Sequence, residues 1–360
     1  MCHQPNYVYF RRKCVEMKID LRSDTVTKPS KDMLDYMMSA PVGDDVYKED
    51  PSVNQLETYL ADLFDMDAAL YFPTGSMSNQ AAIKLHTQPG EQLICDKWAH
   101  VYNYEGGGVS FNSGVSCKLV DGDMGKITAE LVEAAINPPD FYHSPLTSLV
   151  CLENTTNKGG GACYDLDSIK AIRAVCDKHK LGLHLDGARL YNAIVANAHN
   201  PKDFGKEFDT ISLCLSKGLG APMGTVLMGN QDLMKNAIRV RKILGGGMRQ
   251  VGYMAAAAYY ALHHNVDRLA IDHERAKDIE QALTQNPLVN SVDPVETNIV
   301  IFYLNSGLDE AKFIAHLEEK DIRISTMGGG KMRLVTHLDY TQKHHEYFLE
   351  TLASLKPQVV

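Results

Sequence analysis

The sequence predicts an α/β fold with a mainly parallel sheet, helices on both faces and a small C-terminal α+β domain. Short apolar runs typical of buried strands alternate with helical segments along most of the 360-residue chain, an order typical of parallel sheets. Beyond residue 266 the order changes to helix, strand, helix, strand and helix. We therefore predict an extension of unknown role at 1–17, an arm and large domain at 18–266, and a small domain at 267–360.

The composition indicates a soluble globular protein. Hydrophobic residues make up 44% and charged residues 22% of the chain, and the net charge is −9. This charge argues against nucleic acid or an anionic membrane as a partner, and no apolar run is long enough for a transmembrane helix. The eight cysteines are scattered without a C-x-x-C pair, so we expect reduced thiols, a cytoplasmic location and no metal site.

The first elements lead to a candidate anion site. The first sixteen residues lack the apolar core of a signal peptide, and Met17 is an alternative start. A short strand at 18–21 and a helix at 31–40 follow, and Ser52 is the predicted N-cap of a second helix. The turn Thr74-Gly75-Ser76 then joins a short strand to a helix, so backbone N–H groups and hydroxyls face outward in front of the helix dipole. Such turns are common, so this one alone is weak evidence for phosphate binding.

The remaining segments continue the alternation of strands and helices. Apolar strands are predicted at 91–96 and 147–154, with helices at 127–136 and 165–180 between and after them. A helix is also predicted at 232–243, and an alanine-rich stretch follows at 253–264. The predicted small domain contains helices at 272–285, 308–320 and 344–355 and strands at 298–304 and 331–339.

The most informative stretch runs from Leu183 to Pro222. A predicted strand at 181–185 ends at Asp186, and a second strand at 210–215 leads to Lys217. Because successive strands of an open α/β sheet end at the same crevice, the two side chains are expected to share one cavity. A lysine and an aspartate suit pyridoxal phosphate, because the lysine forms a Schiff base and the aspartate keeps a proton on the pyridine nitrogen. On these two residues alone, a helix N-cap and a surface lysine are an open alternative.

Nine segments between Met17 and the end of the chain carry a resemblance to a known family. They are, in order, IDLRSDTVTKPS, VGDDVYKEDPS, PTGSMSNQ, HVYNYEGG, LENTTN, HLDGAR, SLCLSKGLGAP, ILGGGMRQ and RLVTHLD. In content, order and spacing they are similar to the low-specificity L-threonine aldolases. These are pyridoxal phosphate enzymes of fold type I, the aspartate aminotransferase-like fold.

The resemblance implies a reaction and an assembly. The reaction is retro-aldol cleavage of L-threonine or L-allo-threonine to glycine and acetaldehyde, as part of glycine biosynthesis and threonine catabolism. The assembly is a homotetramer, a dimer of dimers with active sites at the subunit interface. Two alternatives stay open: a pyridoxal phosphate lyase that eliminates a β-substituent, and a cofactor-binding regulator without turnover.

The resemblance also assigns the cofactor site. Lys217 is the lysine that holds the cofactor, and its burial is expected to favour the uncharged amine. Asp186 is the partner of the pyridine nitrogen. His100 stacks on the ring, and Glu105 either takes part in proton transfer or forms a structural hydrogen bond. Phosphate ligands are Gly75, Ser76 and, from a neighbouring subunit, Arg249. The alternative for Arg249 is an arginine on a helix face.

Three residues are implied in binding the substrate carboxylate: Ser23, Arg189 and Arg333. Guanidinium groups match a carboxylate bidentately, although Arg189 could instead support the cofactor ring oxygen. Tyr47 either lines the site or packs against neighbouring residues. Thr156 stands where relatives often have a histidine near the substrate β-hydroxyl, and threonine cannot act as a base near neutral pH. The base is therefore left open, with His100, directly or through a water, as the candidate.

Overall fold

The computed structural model describes residues 18–355, so the extension predicted at 1–17 lies outside the described residues. Among the helices of this part, none has both the length and the apolar character needed to cross a membrane. The strands are β1 (Ile19–Asp20), β2 (Ala68–Phe72), β3 (Gln92–Asp96), β4 (Ser116–Val120), β5 (Thr147–Glu153), β6 (Gly182–Gly187), β7 (Thr210–Cys214), β8 (Thr225–Gly229), β9 (Val289–Val292), β10 (Ile299–Leu304), β11 (Ile322–Arg323), β12 (Ser325–Gly328) and β13 (Lys331–Val335).

The helices follow the predicted order, with single 3-10 turns at Asp24–Val26 and Asp45–Tyr47. They are α1 (Lys31–Ser39), α2 (Pro51–Phe64), α3 (Gly75–His86), α4 (His100–Asn103), α5 (Gly108–Ser113), α6 (Ala129–Ala135), α7 (Leu166–His179), α8 (Leu190–Asn197), α9 (Pro201–Gly205), α10 (Gln231–Ile243), α11 (Gly252–His264), α12 (Leu269–Thr284), α13 (Glu310–Glu318) and α14 (Gln342–Ser354).

The central sheet has seven strands in the order β2-β8-β7-β6-β5-β3-β4. Only β8 runs against its neighbours, β2 and β7, and the remaining pairs are parallel. Helices α2, α7, α8 and α11 pack one face, while α3 and α10 pack the other. The predicted mainly parallel sheet with helices on both faces is therefore confirmed.

Three details differ from the sequence predictions. Strand β6 begins and ends later than predicted, so Asp186 lies within its last residues. Ser52 is not the N-cap of α2; Asp50 is, and its side chain accepts from two backbone N–H groups, while Pro51 takes the first helical position, which suits its fixed φ. Strand β4 was not predicted because, at the edge of the sheet, it is mostly exposed and polar.

The C-terminal part contains a four-stranded antiparallel sheet in the order β12-β13-β10-β9, with α12, α13 and α14 against it. Strand β1 pairs in parallel with β11, so Ile19 and Leu21 belong to this second hydrophobic core. Helix α12 joins the two cores, because Leu269 packs in the first and Ala276 in the second. The division near residue 267 stays a prediction.

Candidate active site

A cavity of about 430 Å³ opens at the carboxyl ends of β6 and β7, within the size range of small-molecule sites. It is built from the strand ends, the first turn of α3 and the segment that begins α4. Its lining residues are Thr25, Pro73, Thr74, Gly75, Ser76, Asn79, His100, Glu105, Asp186, Ala188, Ser212, Cys214, Ser216, Lys217, Pro222 and Met223.

Asp186 and Lys217 both lie in this cavity. Asp186 is buried, and its carboxylate accepts hydrogen bonds from Asn79 Nδ2 at 3.0 Å and from the Ala188 backbone N–H at 3.1 Å. Burial raises the pKa of Asp186. Lys217 Nζ donates to Cys214 Sγ at 3.1 Å. Burial alone lowers the pKa of Lys217, but the neighbouring Cys214 and Asp186 outweigh it, so the pKa lies above its usual value. Burial thus favours the uncharged amine, as expected, but the charges of the two neighbours outweigh this effect.

His100 and Glu105 form the opposite wall. His100 Nδ1 lies 3.0 Å from Glu105 Oε1. The Glu105 carboxylate also accepts from Asn79 Nδ2 at 2.9 Å and from Gln80 Nε2 at 2.7 Å. Burial lowers the pKa of His100, but the bond to Glu105 and the charge of Asp186 raise it above its usual value. Glu105 thus orients the His100 ring, while its part in proton transfer stays a prediction.

The first turn of α3 closes the cavity on a third side. Thr74 is the N-cap, and its hydroxyl accepts from the Met77 backbone N–H at 3.2 Å. Gly75 and Ser76 follow at the first positions of the helix, whose N–H groups have no partner within the helix itself. Of the predicted phosphate ligands, Gly75 and Ser76 were predicted from the local sequence pattern, whereas Arg249 was predicted from the family resemblance.

A cluster of charged side chains lies beside the cavity, next to Thr25. Asp24 Oδ2 accepts from Arg189 Nε at 2.8 Å and Asp24 Oδ1 from Arg189 Nη2 at 2.6 Å, with both side chains buried. Asn157 Oδ1 accepts from Arg189 Nη1 at 3.3 Å and from Arg333 Nη2 at 2.9 Å. Arg333 Nε is buried and has no hydrogen-bond partner among the described residues. Burial, and then the charge of Arg189, lower the pKa of Arg333 to about 10.

Six predicted residues do not line the cavity of their own chain: Arg189 and Arg333, which lie in the cluster beside it, and four others. Ser23 caps the 3-10 turn, where its hydroxyl accepts from the Thr25 backbone N–H at 3.2 Å. The Thr156 hydroxyl donates to the Met124 carbonyl at 2.8 Å, and this side chain is buried. Tyr47 is exposed. Arg249 is exposed as well, and its Nη1 lies 2.8 Å from Asp44 Oδ2, close in the chain to Tyr47.

Comparison with known proteins places this geometry in a family. The sequence model described as "Beta-eliminating lyase" matches residues 20–306. Low-specificity L-threonine aldolase 1 of Arabidopsis thaliana is 38% identical over 93% of this chain and 95% of its own length. The low specificity L-threonine aldolase of Escherichia coli O157:H7 is 39% identical over 90% of this chain and 95% of its own. The chain belongs to the beta-eliminating lyase/threonine aldolase family.

The solved structures agree on the fold. The threonine aldolase of Leishmania major superposes with a TM-score of 0.80, covering 93% of this chain and 98% of its own, at 23% sequence identity. The chain therefore has fold type I of the pyridoxal phosphate enzymes, as predicted, and pyridoxal phosphate is its cofactor.

The residues of the cavity fit this cofactor. An amine and a carboxyl lie at adjacent strand ends, and the first turn of a helix faces the same space. Thr225 Oγ1 is buried without a hydrogen-bond partner in the described part of the chain, 3.6 Å from the position that a Cβ on Gly75 would take. The ligand atoms of His100, Glu105 and Asp186 lie within 4.8 Å of one another, as in a metal site. The same three residues are those predicted to surround the pyridine ring, and this assignment stays a prediction.

Sequence reasoning missed four residues of the site: Asp24, Asn79, Glu153 and Asn157. Each lies within a family motif quoted above, so their type was visible. Their roles were not, because each acts through a partner that is distant in sequence. Asn79, for example, links Glu105 to Asp186.

Proposed function

We propose that this chain cleaves L-threonine and L-allo-threonine to glycine and acetaldehyde. The observation that carries the proposal is the shared cavity of Asp186, Lys217 and the first turn of α3, beside the two guanidinium groups. The named relatives, low-specificity L-threonine aldolases, cover nearly the whole chain at 38–39% identity. An amino acid is therefore the expected substrate.

The roles of the cofactor-facing residues follow from their surroundings. Bound pyridoxal phosphate supplies an electron sink for the pair released when a bond at the substrate Cα breaks. Lys217 holds the cofactor and is placed to exchange with the substrate amine. Asp186 keeps the proton on the ring nitrogen, and Asn79 holds the Asp186 carboxylate in place. Gly75 and Ser76 bind the phosphate through backbone N–H groups and a hydroxyl.

His100 is the proposed base for the β-hydroxyl proton. Because Glu105 accepts from Nδ1, the proton of the neutral ring belongs on that atom and Nε2 is left to accept a second one. Thr156 cannot replace it, because its hydroxyl is buried and donates to the Met124 carbonyl. Stereochemical preference at Cβ therefore depends on His100 and the entrance around it rather than on Thr156.

Arg333 is the proposed receptor of the substrate carboxylate. Asp24 already occupies Nε and Nη2 of Arg189, so Arg189 supports the site mainly with its charge and its bond to Asn157. Arg333 forms no ion pair with a carboxylate in the described part of the chain; its Nη1 donates to the Arg22 carbonyl at 3.2 Å and its Nη2 to Asn157 Oδ1 at 2.9 Å, so its charge is left for a substrate carboxylate. A carboxylate bound there orients the Cα–Cβ bond, and orientation selects the bond that breaks. Ser23 acts through the 3-10 turn that carries Asp24.

The first test is Lys217→Ala. The variant should lose the visible absorbance of the lysine-bound cofactor and the release of acetaldehyde from threonine, because no other described amine lines the cavity. Exposed Lys235→Ala is the matched control and should keep both. Retention of absorbance and cleavage in Lys217→Ala would refute the assignment.

β-Elimination on the same scaffold is the second candidate, favoured by the description of the matching family. It would release ammonia and a keto acid instead of glycine and acetaldehyde. Assaying the wild-type products from both threonine diastereomers and from phenylserine separates the two reactions and defines the β-substituent preference. A cofactor-binding regulator would yield neither set of products.

We also infer a homotetramer, a dimer of dimers, in which Tyr47 and Arg249 complete the cavity of a partner subunit. Both residues lie outside the cavity of their own chain and near each other at its surface. Mixing subunits of inactive Lys217→Ala and Arg249→Ala should restore part of the activity, because some mixed sites would contain both native residues. No recovery after confirmed subunit exchange would contradict shared sites. The cytoplasmic location and the domain division at 266 and 267 remain proposals.

A further inference from the structure

Glu153 is a buried carboxylate that the reaction described above does not use. It is the last residue of β5 and lies directly opposite Asp186 of β6 in the parallel register. Its side chain is buried, and it is not among the residues that line the cavity. In the described part of the chain its carboxylate forms no ion pair; its partners are two backbone N–H groups.

The two N–H groups belong to two different walls of the site. Glu153 Oε2 accepts from the His100 backbone N–H at 2.9 Å, and Glu153 Oε1 accepts from the Asn157 backbone N–H at 2.8 Å. His100 begins α4, and Ala99 at the N-cap position has no side chain that caps this helix. Glu153 therefore supplies the acceptor that a capping side chain would normally provide.

Each segment carries a side chain with a proposed role at the site, His100 toward the cofactor and Asn157 toward the two arginines. The His100 ring lies in the cavity, oriented by Glu105. Asn157 Oδ1 joins the guanidinium groups of Arg189 and Arg333. One carboxylate thus sets the distance between the residue that stacks on the cofactor and the residue that holds the carboxylate receptor.

We propose that Glu153 is a positioning residue for this reaction, which holds the His100 segment and the Asn157 segment in register through its two carboxylate oxygens. The inference rests on the proposed function, since it assigns those segments to the cofactor and the substrate. Glu153 touches neither molecule. It acts through the backbone of His100, which is assigned to the cofactor, and of Asn157, which holds the proposed receptor of the substrate carboxylate.

The energetics favour a functional over a purely structural role. Burial, and then the charge of Asp186, raise the pKa of Glu153 to about 7. A carboxylate held beside another carboxylate gains little for stability, because desolvation and repulsion oppose its hydrogen bonds. A neutral side chain of the same length should therefore fold as well, but an amide presents one acceptor and one donor, so one of the two N–H groups loses its partner.

The test compares Glu153→Gln with a matched control, Glu57→Gln. Glu57 is also a buried carboxylate that accepts from a backbone N–H, that of Tyr71 at 2.9 Å, but it lies outside the cavity. Glu153→Gln should keep the wild-type thermal midpoint, while the dissociation constant for pyridoxal phosphate or the KM for threonine rises about fivefold, according to which segment loses its hydrogen bond. Glu57→Gln should leave both constants unchanged. Glu153→Asp, which keeps the charge but is too short to reach both groups, should behave like Glu153→Gln.

A double-mutant cycle with Asn157→Ala separates positioning from general damage. If Glu153 acts on KM through Asn157, the double variant should show no larger rise in KM than Asn157→Ala alone. Wild-type constants in Glu153→Gln would overturn the proposal, as would a lowered thermal midpoint with unchanged constants for the folded fraction. If the wild type binds pyridoxal phosphate but does not cleave threonine, the proposed function fails, and the cofactor dissociation constants still decide the role of Glu153.

Discussion

The ion pair between Asp24 and Arg189 gives Arg189 and Arg333 different roles. Burial raises the pKa of Asp24, but the charge and hydrogen bonds of Arg189, with Lys217 and Arg333 nearby, outweigh it and lower the pKa to about 2. The carboxylate holds the Arg189 guanidinium by two of its nitrogens. Arg189 is therefore paired with a carboxylate of the protein, whereas Arg333 has only the Arg22 carbonyl and the Asn157 amide oxygen as hydrogen-bond acceptors among the described residues.

We expect Asp24→Asn to lower the free energy of unfolding at pH 7 by about 3–5 kcal/mol, because it leaves the buried Arg189 charge without its counterion. The threonine KM should rise, since Arg189 would then be free to move away from Asn157. The control is Asp20→Asn, whose ion pair with Arg22 is partly exposed and should contribute less than about 1 kcal/mol.

The difference in the free energy of unfolding between the wild type and Asp24→Asn depends on pH, because the pKa of Asp24 is lowered in the folded protein. A depressed carboxyl pKa contributes stability that is present above the unfolded pKa of 3.8 and is lost as the pH falls toward about 2. In denaturant unfolding, the free energies of unfolding of the wild type and of Asp24→Asn should thus differ by a constant amount above about pH 4, and the difference should become smaller below that pH. A gap that widens in acid would contradict the assignment.

At the scale of elements, α3 organises the cavity more than any single strand does. Its first turn faces the proposed phosphate position, and its next turn carries Asn79 and Gln80, which bind Glu105 and Asp186. The remainder of the helix packs on the sheet through Ala81, Ala82 and Ile83. One rigid element therefore ties the phosphate end of the site to its base and its carboxyl group.

We expect Asn79→Ala to weaken pyridoxal phosphate binding by about five- to tenfold, because the carboxylates of Asp186 and Glu105 each lose a buried hydrogen bond. The free energy of unfolding should fall by about 1–3 kcal/mol. Absorbance titration of the apoprotein and denaturant unfolding measure the two effects. The control is Asn54→Ala in α2, which removes an exposed hydrogen bond from the Asn54 side chain to the Lys48 carbonyl. Equal affinities of the two variants for pyridoxal phosphate would show that Asn79 does not support the cofactor site.

At the scale of the whole molecule, α12 connects the two hydrophobic cores beside a buried histidine. His273 of α12 shares a hydrogen bond of 3.0 Å with Asn192 Oδ1 of α8. Burial, and then the charge of Arg268, lower the pKa of His273 to about 4. The folded protein therefore keeps this histidine neutral under conditions in which an unfolded chain would protonate it.

This histidine should make the protein sensitive to acid. Because the unfolded chain binds the extra proton between the unfolded pKa of 6.5 and about 4, stability is lost as the pH falls through that window, by up to about 1.4 kcal/mol per pH unit. His273→Gln cannot take up this proton. The stability of the wild type relative to His273→Gln should therefore decline between pH 6.5 and 4, and parallel curves in denaturant unfolding would contradict the prediction.

How far the site could be predicted depends on whether a signal is local. The positions of Lys217 and Asp186 followed from apolar strands and the rule that parallel strands end at one crevice, and the Thr74-Gly75-Ser76 turn followed from its own residues. The partner of Arg189 did not, since Asp24 lies 165 positions away in the chain. Likewise, no sequence pattern indicated that Cys214 and Asp186 would outweigh the effect of burial on the pKa of Lys217, because only packing brings them close.

The sequence by itself determined the alternation of strands and helices, the family and the residue types that surround the cofactor, because periodicity and motifs are properties of short stretches of chain. Only the tertiary structure decided which arginine is paired with a carboxylate of the protein, where the Thr156 hydroxyl points and which two segments Glu153 joins. Those outcomes depend on burial and on hydrogen bonds between groups far apart in the chain, and such pairings are selected by how the elements pack.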